Sequence, residues 1–153
     1  MRHRKFIIVV FACAILAGCG SQGAENAGLA NMPLKTSDAR LKIYRTDTLE
    51  SAGDAARVRI DGREVANLGI GGSTMLDVPA GQHKIVVDNP LHPNVYEISL
   101  AAKPGERYAL EVSPRSEATV ARMFGVAGML AESAANQNGG EFQIRVVESA
   151  ERT

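Results

Sequence analysis

The side chains best suited to chemistry in this 153-residue sequence are two histidines, His83 and His92. Imidazole binds transition metals and transfers protons near neutral pH, so the two histidines, with Asp88 as a third group, are candidate metal ligands. Their spacing matches no recognised ligand motif, and His92 lies between prolines in a predicted loop. The sequence favours the alternative that His83 is a strand residue whose ring caps a neighbouring turn and that His92 is solvated.

Two further patterns lack parts that their chemistry needs. The loop Gly69-Ile70-Gly71-Gly72 is followed by neither a helix nor the lysine of a phosphate-binding loop, so it predicts a plain connection between strands. A hydrolase triad would need Ser73, His83 and a nearby aspartate, but the sequence contains no Gly-x-Ser-x-Gly elbow. We therefore expect no catalytic residue, no cofactor and no metal ligand.

A third reactive group, the thiol of Cys19, closes a tripartite N-terminal pattern. Three basic residues precede an apolar run that extends from Phe6 to Leu16. This run is shorter than the roughly 20 residues of a membrane span and within the roughly 7–15 apolar residues of a signal peptide. The pattern predicts a cleaved signal peptide at residues 1–18. The alternatives are an ordinary signal peptide with an incidental cysteine and an uncleaved anchor.

The four residues Leu16-Ala17-Gly18-Cys19 resemble the lipobox of bacterial lipoproteins. The resemblance implies that Cys19 is acylated and becomes the first residue of the mature protein, held on a membrane by its lipid. Two or three acyl chains make such attachment stable, whereas one chain holds only weakly. Gly20 stands where retention in the inner membrane usually requires Asp, so the resemblance implies an outer-membrane protein that faces the periplasm.

The composition argues against several classes of partner. The chain has 17 basic and 17 acidic residues, and loss of Arg2, Arg4 and Lys5 with the signal peptide leaves 14 basic residues and a net charge of about −3. Nucleic-acid binding is not expected, because it needs a concentrated positive field. With Cys13 in the signal peptide and Cys19 lipidated, the mature domain has neither a disulfide nor a thiol nucleophile.

Short runs in which apolar and polar residues alternate predict β-strands. Seven of them follow one another without an intervening helix, which favours an antiparallel sandwich over a parallel sheet. The runs cover residues 41–44, 56–60, 65–68, 74–78, 83–87, 96–100 and 108–112, and an eighth covers 142–146. We therefore predict a mainly β fold, a single antiparallel β-sandwich of seven to eight short strands at residues 41–148. Residues 19–40 are predicted to be the lipidated cysteine and a flexible tether, and residues 149–153 a tail.

Three turn signals punctuate these strands: Asp61-Gly62, Pro79-Ala80-Gly81 and Pro104-Gly105. Glycine accepts the positive φ of the primed hairpin turns, so the first pair is a strong hairpin signal. The segments around the turns, 60–68, 78–83 and 103–108, are similar to a bacterial envelope family of unknown function and, in rhythm, to PEGA-type β modules. The resemblance implies an antiparallel β domain and says nothing about activity.

One amphipathic helix is predicted before the last strand, at about residues 114–136. Its apolar residues share one arc at the helical period, and that arc would cover the sandwich. Val126 and Met129 lie outside the arc and would be exposed, which makes them a possible surface for a partner.

These patterns together predict a lipid-anchored envelope protein that is a non-enzymatic binding or structural module. It would be attached to the membrane through its lipid, and its expected binding partner is another protein of the envelope. The alternatives are a small periplasmic metal-binding protein or hydrolase that uses His83 and His92, and a carrier with an internal cavity. A metal site or hydrolase would need both histidines and a carboxylate within reach of one another in a concave site.

Overall fold

The computed structural model describes residues 27–49, 53–117, 125 and 138–150. Within them the chain forms one short helix, eight strands and a few helical residues after the seventh strand. The helix is α1 (Ala27–Ala30), and the strands are β1 (Asp38–Arg45), β2 (Ala56–Ile60), β3 (Arg63–Leu68), β4 (Ser73–Pro79), β5 (Gly81–Asp88), β6 (Tyr96–Ala102), β7 (Arg107–Pro114) and β8 (Phe142–Ala150). No helix in this described part of the chain is long and apolar enough to cross a membrane.

The strands form two four-stranded sheets, which confirms the predicted β-sandwich. The front sheet has the strand order β4-β1-β7-β8, and the back sheet has the order β3-β2-β5-β6. β8 packs against β5 and β6 of the back sheet, so the two sheets close on that side. On the other side a cleft of about 460 Å³ separates the edge strands β3 and β4.

One strand pair differs from the predicted antiparallel arrangement. β1 and β7 are parallel neighbours, with Arg40 opposite Arg107 and Arg45 opposite Val112. A parallel pair needs a long crossover, which is usually helical. Here the crossover consists of the five intervening strands, so the lack of a helix in the sequence did not exclude a parallel pair.

The core forms where the inward residues of the two sheets meet, because alternate residues of each strand point to opposite faces. β1 illustrates the pattern: Leu41 and Ile43 are fully buried while Lys42 between them is exposed. The other fully buried apolar residues are Ala39, Ala56, Val58, Ile85, Val87, Leu110, Val112 and Phe142. The alternation fails in β8 near a bulge opposite Ala109 and Leu110, where Val146 and Val147 are both exposed.

The domain begins earlier than predicted, because residues 27–40, which were expected in the flexible tether, include helix α1 and the start of β1. Helix α1 and the residues that follow it lie against the domain, and Leu34 is buried. β1 starts at Asp38 instead of Leu41, and β8 continues to Ala150 instead of ending in a tail after 148. We call residues 27–37 the stem.

Most of the predicted helix at 114–136 lies outside the described residues, and so do Val126 and Met129. Ser116, Glu117 and Gly125 are helical. Pro114 is not in the first helical turn as predicted, because it is the last residue of β7 and pairs with Phe142. Residues 1–26, including Cys19, also lie outside the described part of the chain.

Candidate functional site

The two ends of the sandwich are built differently. At one end, which we call the turn end, the tight turns 61–62, 79–81 and 103–106 lie beside the start of β1. At the other, which we call the loop end, residues 46–49 and 53–55, the connections 69–72 and 89–95 and the segment 138–141 lie beside the end of β1. The stem enters at the turn end.

Backbone hydrogen bonds tie the tight turns to β1. The N–H of Ala80 donates to the carbonyl of Ser37 at 3.0 Å, and the N–H of Gly105 donates to the carbonyl of Asp38 at 2.8 Å. Asp61 and Gly62 have φ values of 52° and 83°, the signs that a type I′ hairpin turn requires. The turn end is therefore a set of short connections with their backbone groups paired.

His83 links two of these turns. Its Nδ1 lies 2.7 Å from Oδ2 of Asp61, and its Nε2 lies 2.7 Å from the carbonyl oxygen of Pro79. Burial lowers the pKa of His83, but the hydrogen bonds to Asp61 and Pro79 outweigh it and raise that pKa above its ordinary value. The hydrogen bond with His83 is also the main cause that lowers the pKa of Asp61, and a hydrogen bond from the Lys84 N–H is the second. His83 therefore has the turn-capping role that the sequence favoured.

His92 has a different environment from the one predicted. It is buried instead of solvated, and its Nδ1 lies 2.6 Å from the carbonyl oxygen of Pro93 at the loop end. His83 is near the start of β5 and His92 lies beyond its end at Asp88, so roughly 17 Å of strand separates them. No group of three or more histidine, cysteine or acidic residues in the described segments could hold a metal ion.

The His83 contacts predict a pH dependence of stability. The Asp61 carboxylate and the Pro79 carbonyl can only accept hydrogen bonds. The His83 ring can donate to both of them only when both of its nitrogens carry a proton. Because the folded pKa of His83 is raised, this stabilisation is complete below its unfolded pKa of about 6.5 and is lost as the pH rises through the folded pKa. We expect the melting temperature to fall more between pH 6 and pH 9 in the natural protein than in the His83→Gln variant. An NMR titration midpoint for His83 at or below 6.5 would contradict this.

Arg40 holds the stem on the front sheet. Its side chain is almost fully buried, and its Nε and Nη2 donate to the two carboxylate oxygens of Asp77 at 2.7 and 2.9 Å. Its Nη1 donates to the carbonyl oxygens of Leu29 and Met32 at 2.6 and 2.8 Å. A planar guanidinium suits such a site, because it donates in several directions at once. The side chain thereby joins β1, β4 and the stem.

The loop end contains most of the buried charged side chains of the described residues. Arg45 is 2% exposed and Glu141 is 1% exposed, and charged groups are rarely buried to this extent without partners. The other buried polar side chains at this end are Asp88, Asn89, His92 and Arg115. This group, which we call the polar cluster, lies beneath the exposed surface of the loops.

Arg45 is the centre of the polar cluster. Its Nη1 donates to the carbonyl oxygens of Asp54 and Leu68, the latter at 3.1 Å, so it joins two connections to the end of β1. Its guanidinium carbon lies 4.6 Å from the centre of the Phe142 ring, within the range of a cation–π contact. Burial lowers the pKa of Arg45, and the negative charges of Glu141 and Asp54 oppose that shift.

The carboxylates of the polar cluster are also occupied. Asp88 accepts two hydrogen bonds from Arg57, at 2.8 and 2.9 Å, and one from Arg59 at 2.6 Å. Glu141 accepts a hydrogen bond from Nδ2 of Asn89, whose Oδ1 accepts the N–H of Leu91 at 2.9 Å. These contacts orient the loops and leave the carboxylates poorly placed to activate a nucleophile.

Above this cluster the loops expose two large apolar side chains. Leu49 is 82% exposed on the loop that follows β1, and Leu91 is 81% exposed on the loop that follows β5. Single exposed leucines are common on protein surfaces, but loops held by a rigid scaffold often carry binding residues. The loop end therefore combines exposed apolar side chains with buried polar ones.

Sequence reasoning missed the polar cluster, although one signal for it exists. Arg45 continues the inward alternation of Leu41 and Ile43, so the strand period placed an arginine on the core side. Glu141 precedes Phe142 outside any strand and carries no periodic signal. The partners of these residues come from distant connections, which the period of a single strand does not reveal.

The comparisons with known proteins leave the chain unassigned to a family. No protein-family model and no curated protein matches it. A solved structure, the N-terminal domain of AlgF from P. aeruginosa, is similar with 12% sequence identity and a TM-score of 0.39. The alignment covers 74% of this chain and 98% of that domain.

Proposed function

We propose that the chain is a lipid-anchored envelope protein whose sandwich binds a second envelope component through its loop end and catalyses no reaction. The anchor rests on the resemblance of Leu16-Ala17-Gly18-Cys19 to a lipobox, which implies the outer membrane and the periplasmic side. The binding role rests on the exposure of Leu49 and Leu91 above the buried polar cluster.

The route of the stem supports this orientation. Only residues 20–26 lie between Cys19 and the start of α1 at Ala27, and a fully extended chain of that length spans about 25 Å at most. A lipid on Cys19 would therefore keep the turn end near the bilayer. The eight residues of β1 add roughly 26 Å between the turn end and the loop end. The loop end would then face away from the lipid.

The build of the loop end supports binding. Arg45 donates a hydrogen bond to the carbonyl oxygen of Asp54 in the loop that carries Leu49, and Oδ1 of Asn89 accepts one from the Leu91 N–H. A surface that is already ordered loses less conformational freedom on association, so more of its contact energy appears as affinity. Polar contacts that surround an apolar anchor in an interface exclude water from that anchor.

In-cell photocrosslinking tests whether the loop end binds a partner. A benzophenone amino acid at position 91 should give a discrete crosslinked product in membranes, whereas the same group at exposed position 63, the first residue of β3, should not. Leu49→Lys should reduce the position-91 product at least about fivefold, since it places a charge in an apolar contact.

The anchor is tested in the same cells. Cys19→Ala should abolish incorporation of labelled fatty acid and prevent the normal cleavage before position 19. Persistent labelling of the Cys19→Ala protein would show that the anchor is elsewhere. A crosslink that forms equally from positions 63 and 91 would show that the loop end has no special role.

A further inference from the structure

A pocket of about 210 Å³ lies on the outer surface of the front sheet. One row of residues crosses all four strands there: Met75, Lys42, Ala109 and Glu148 are successive neighbours in the register. The depression forms because the side chain of Ala109 is small, and the longer side chains of its neighbours form the walls. Arg107 lies one row closer to the turn end and also lines the pocket.

The charges around the pocket are unusual for this face of the sheet. Arg40 is paired with Asp77, and Arg145 is paired with Glu111 at 2.7 Å. In contrast, Lys42, Arg107 and Glu148 are exposed, and none of the three forms a salt bridge with another residue of the described segments. Two cations and one carboxylate thus surround the depression without neutralising one another.

This arrangement suits a ligand that carries both charges. We propose that the pocket binds the head group of phosphatidylethanolamine, with its phosphate against Lys42 and Arg107 and its ammonium against Glu148. Lys42 and Glu148 flank Ala109 from adjacent strands on either side, so their backbones are about 10 Å apart, which leaves room for a small zwitterion between their side chains. Met75 offers apolar contact to the glycerol end of the lipid.

The position of the pocket favours a lipid over a soluble compound, and this step rests on the proposed anchor. Arg40 borders the pocket and also holds the stem through Leu29 and Met32. A lipid on Cys19 would therefore keep the pocket close to a surface dense in head groups. Tethering raises the effective concentration of such a ligand, so weak contacts with a single head group suffice.

NMR of the mature chain, produced without residues 1–18 and carrying Cys19→Ala, tests the pocket without the acyl anchor or the apolar run of the signal peptide. Glycerophosphoethanolamine should shift the methyl resonances of Met75 and Ala109. Glycerophosphocholine should bind at least about fivefold more weakly, because its quaternary ammonium cannot donate a hydrogen bond to Glu148. Inorganic phosphate, as the soluble alternative, should bind more weakly than glycerophosphoethanolamine.

Variants of the exposed residues separate the two contacts. Lys42→Gln and Arg107→Gln should each weaken binding of both head groups about fivefold. Glu148→Gln should abolish the preference for ethanolamine over choline. Lys84→Gln, which removes an exposed cation on the back sheet, is the matched control and should change neither. Thermal melts should show that all four variants fold normally.

Vesicle flotation then distinguishes lipid from free phosphate. The Cys19→Ala protein should float more with vesicles of mixed phosphatidylethanolamine and phosphatidylcholine than with phosphatidylcholine alone, and Glu148→Gln should remove that difference. Head-group shifts without a vesicle preference, or binding of inorganic phosphate as strong as that of glycerophosphoethanolamine, would overturn the proposal. Loss of fatty-acid labelling in cells tests only the anchor, so the two proposals can fail separately.

Discussion

Replacing Arg45 with methionine is expected to lower the free energy of unfolding by about 2–5 kcal/mol, because each buried carbonyl oxygen left without a donor costs about 1–3 kcal/mol. Methionine keeps much of the apolar stem but leaves the carbonyl oxygens of Asp54 and Leu68 without the guanidinium donor. It also removes one positive charge from the surroundings of the buried Glu141. Chemical denaturation of purified protein measures the change.

A second substitution tests whether the loss comes from the charge of Glu141. The double variant Arg45→Met with Glu141→Leu removes both charges, and buried pairs replaced by apolar residues often regain much of the lost stability. The two changes should therefore be non-additive by about 1–3 kcal/mol. Arg57→Met is the matched control, because Arg57 is partly exposed and Arg59 still pairs with Asp88. Additive effects of the two changes would show that Arg45 and Glu141 are not coupled.

Replacing Phe142 with alanine is expected to cost about 3–5 kcal/mol, since the ring is fully buried at the start of β8 and its removal leaves a cavity. Val146→Ala in the same strand is the control: Val146 is 41% exposed, and its truncation should cost less than about 1 kcal/mol. Thermal or urea unfolding of both variants gives the comparison. Equal losses of stability in the Phe142→Ala and Val146→Ala variants would show that Val146 belongs to the core as much as Phe142 does.

A third variant separates the volume of the ring from its charge contact. Phe142→Leu fills much of the space but cannot face the Arg45 guanidinium with a π system. It should cost less than Phe142→Ala, and the remaining loss should shrink when Arg45 is already methionine. An unchanged cost of Phe142→Leu in the Arg45→Met protein would exclude a contribution from the cation–π contact.

The strands could be predicted because their signal is local. Leu41 and Ile43, like Phe142 and Ile144, alternate with polar residues, and a period of two identifies a half-buried strand without knowledge of its neighbours. The Asp61-Gly62 turn is local in the same way, because the φ values it needs are set by the two residues themselves. The predicted sandwich followed from these local features.

The sites depend on residues far apart in the chain, which is why the sequence did not show them. Arg40 contacts Asp77, 37 positions away, and Asn89 contacts Glu141, 52 positions away. His92 was expected in solvent because it lies between prolines in a loop, yet that loop folds inward at the polar cluster. Composition and spacing cannot report contacts that only the tertiary fold creates.

The parallel pairing of β1 with β7 has a consequence for the order of folding. Leu41 pairs with Leu76 and with Tyr108, so β1 must wait for strands that come about 35 and 67 residues later. Contacts between residues so far apart form slowly, because the entropy lost on closing the long loop opposes them before other native contacts can stabilise them. During that delay β1 exposes an apolar segment to other chains. Arg40 and Arg45 bracket that segment, and flanking charges of this kind hinder aggregation. The two arginines would thus hinder aggregation of the unfolded chain. In the folded chain Arg40 holds the stem and Arg45 holds residues at the loop end.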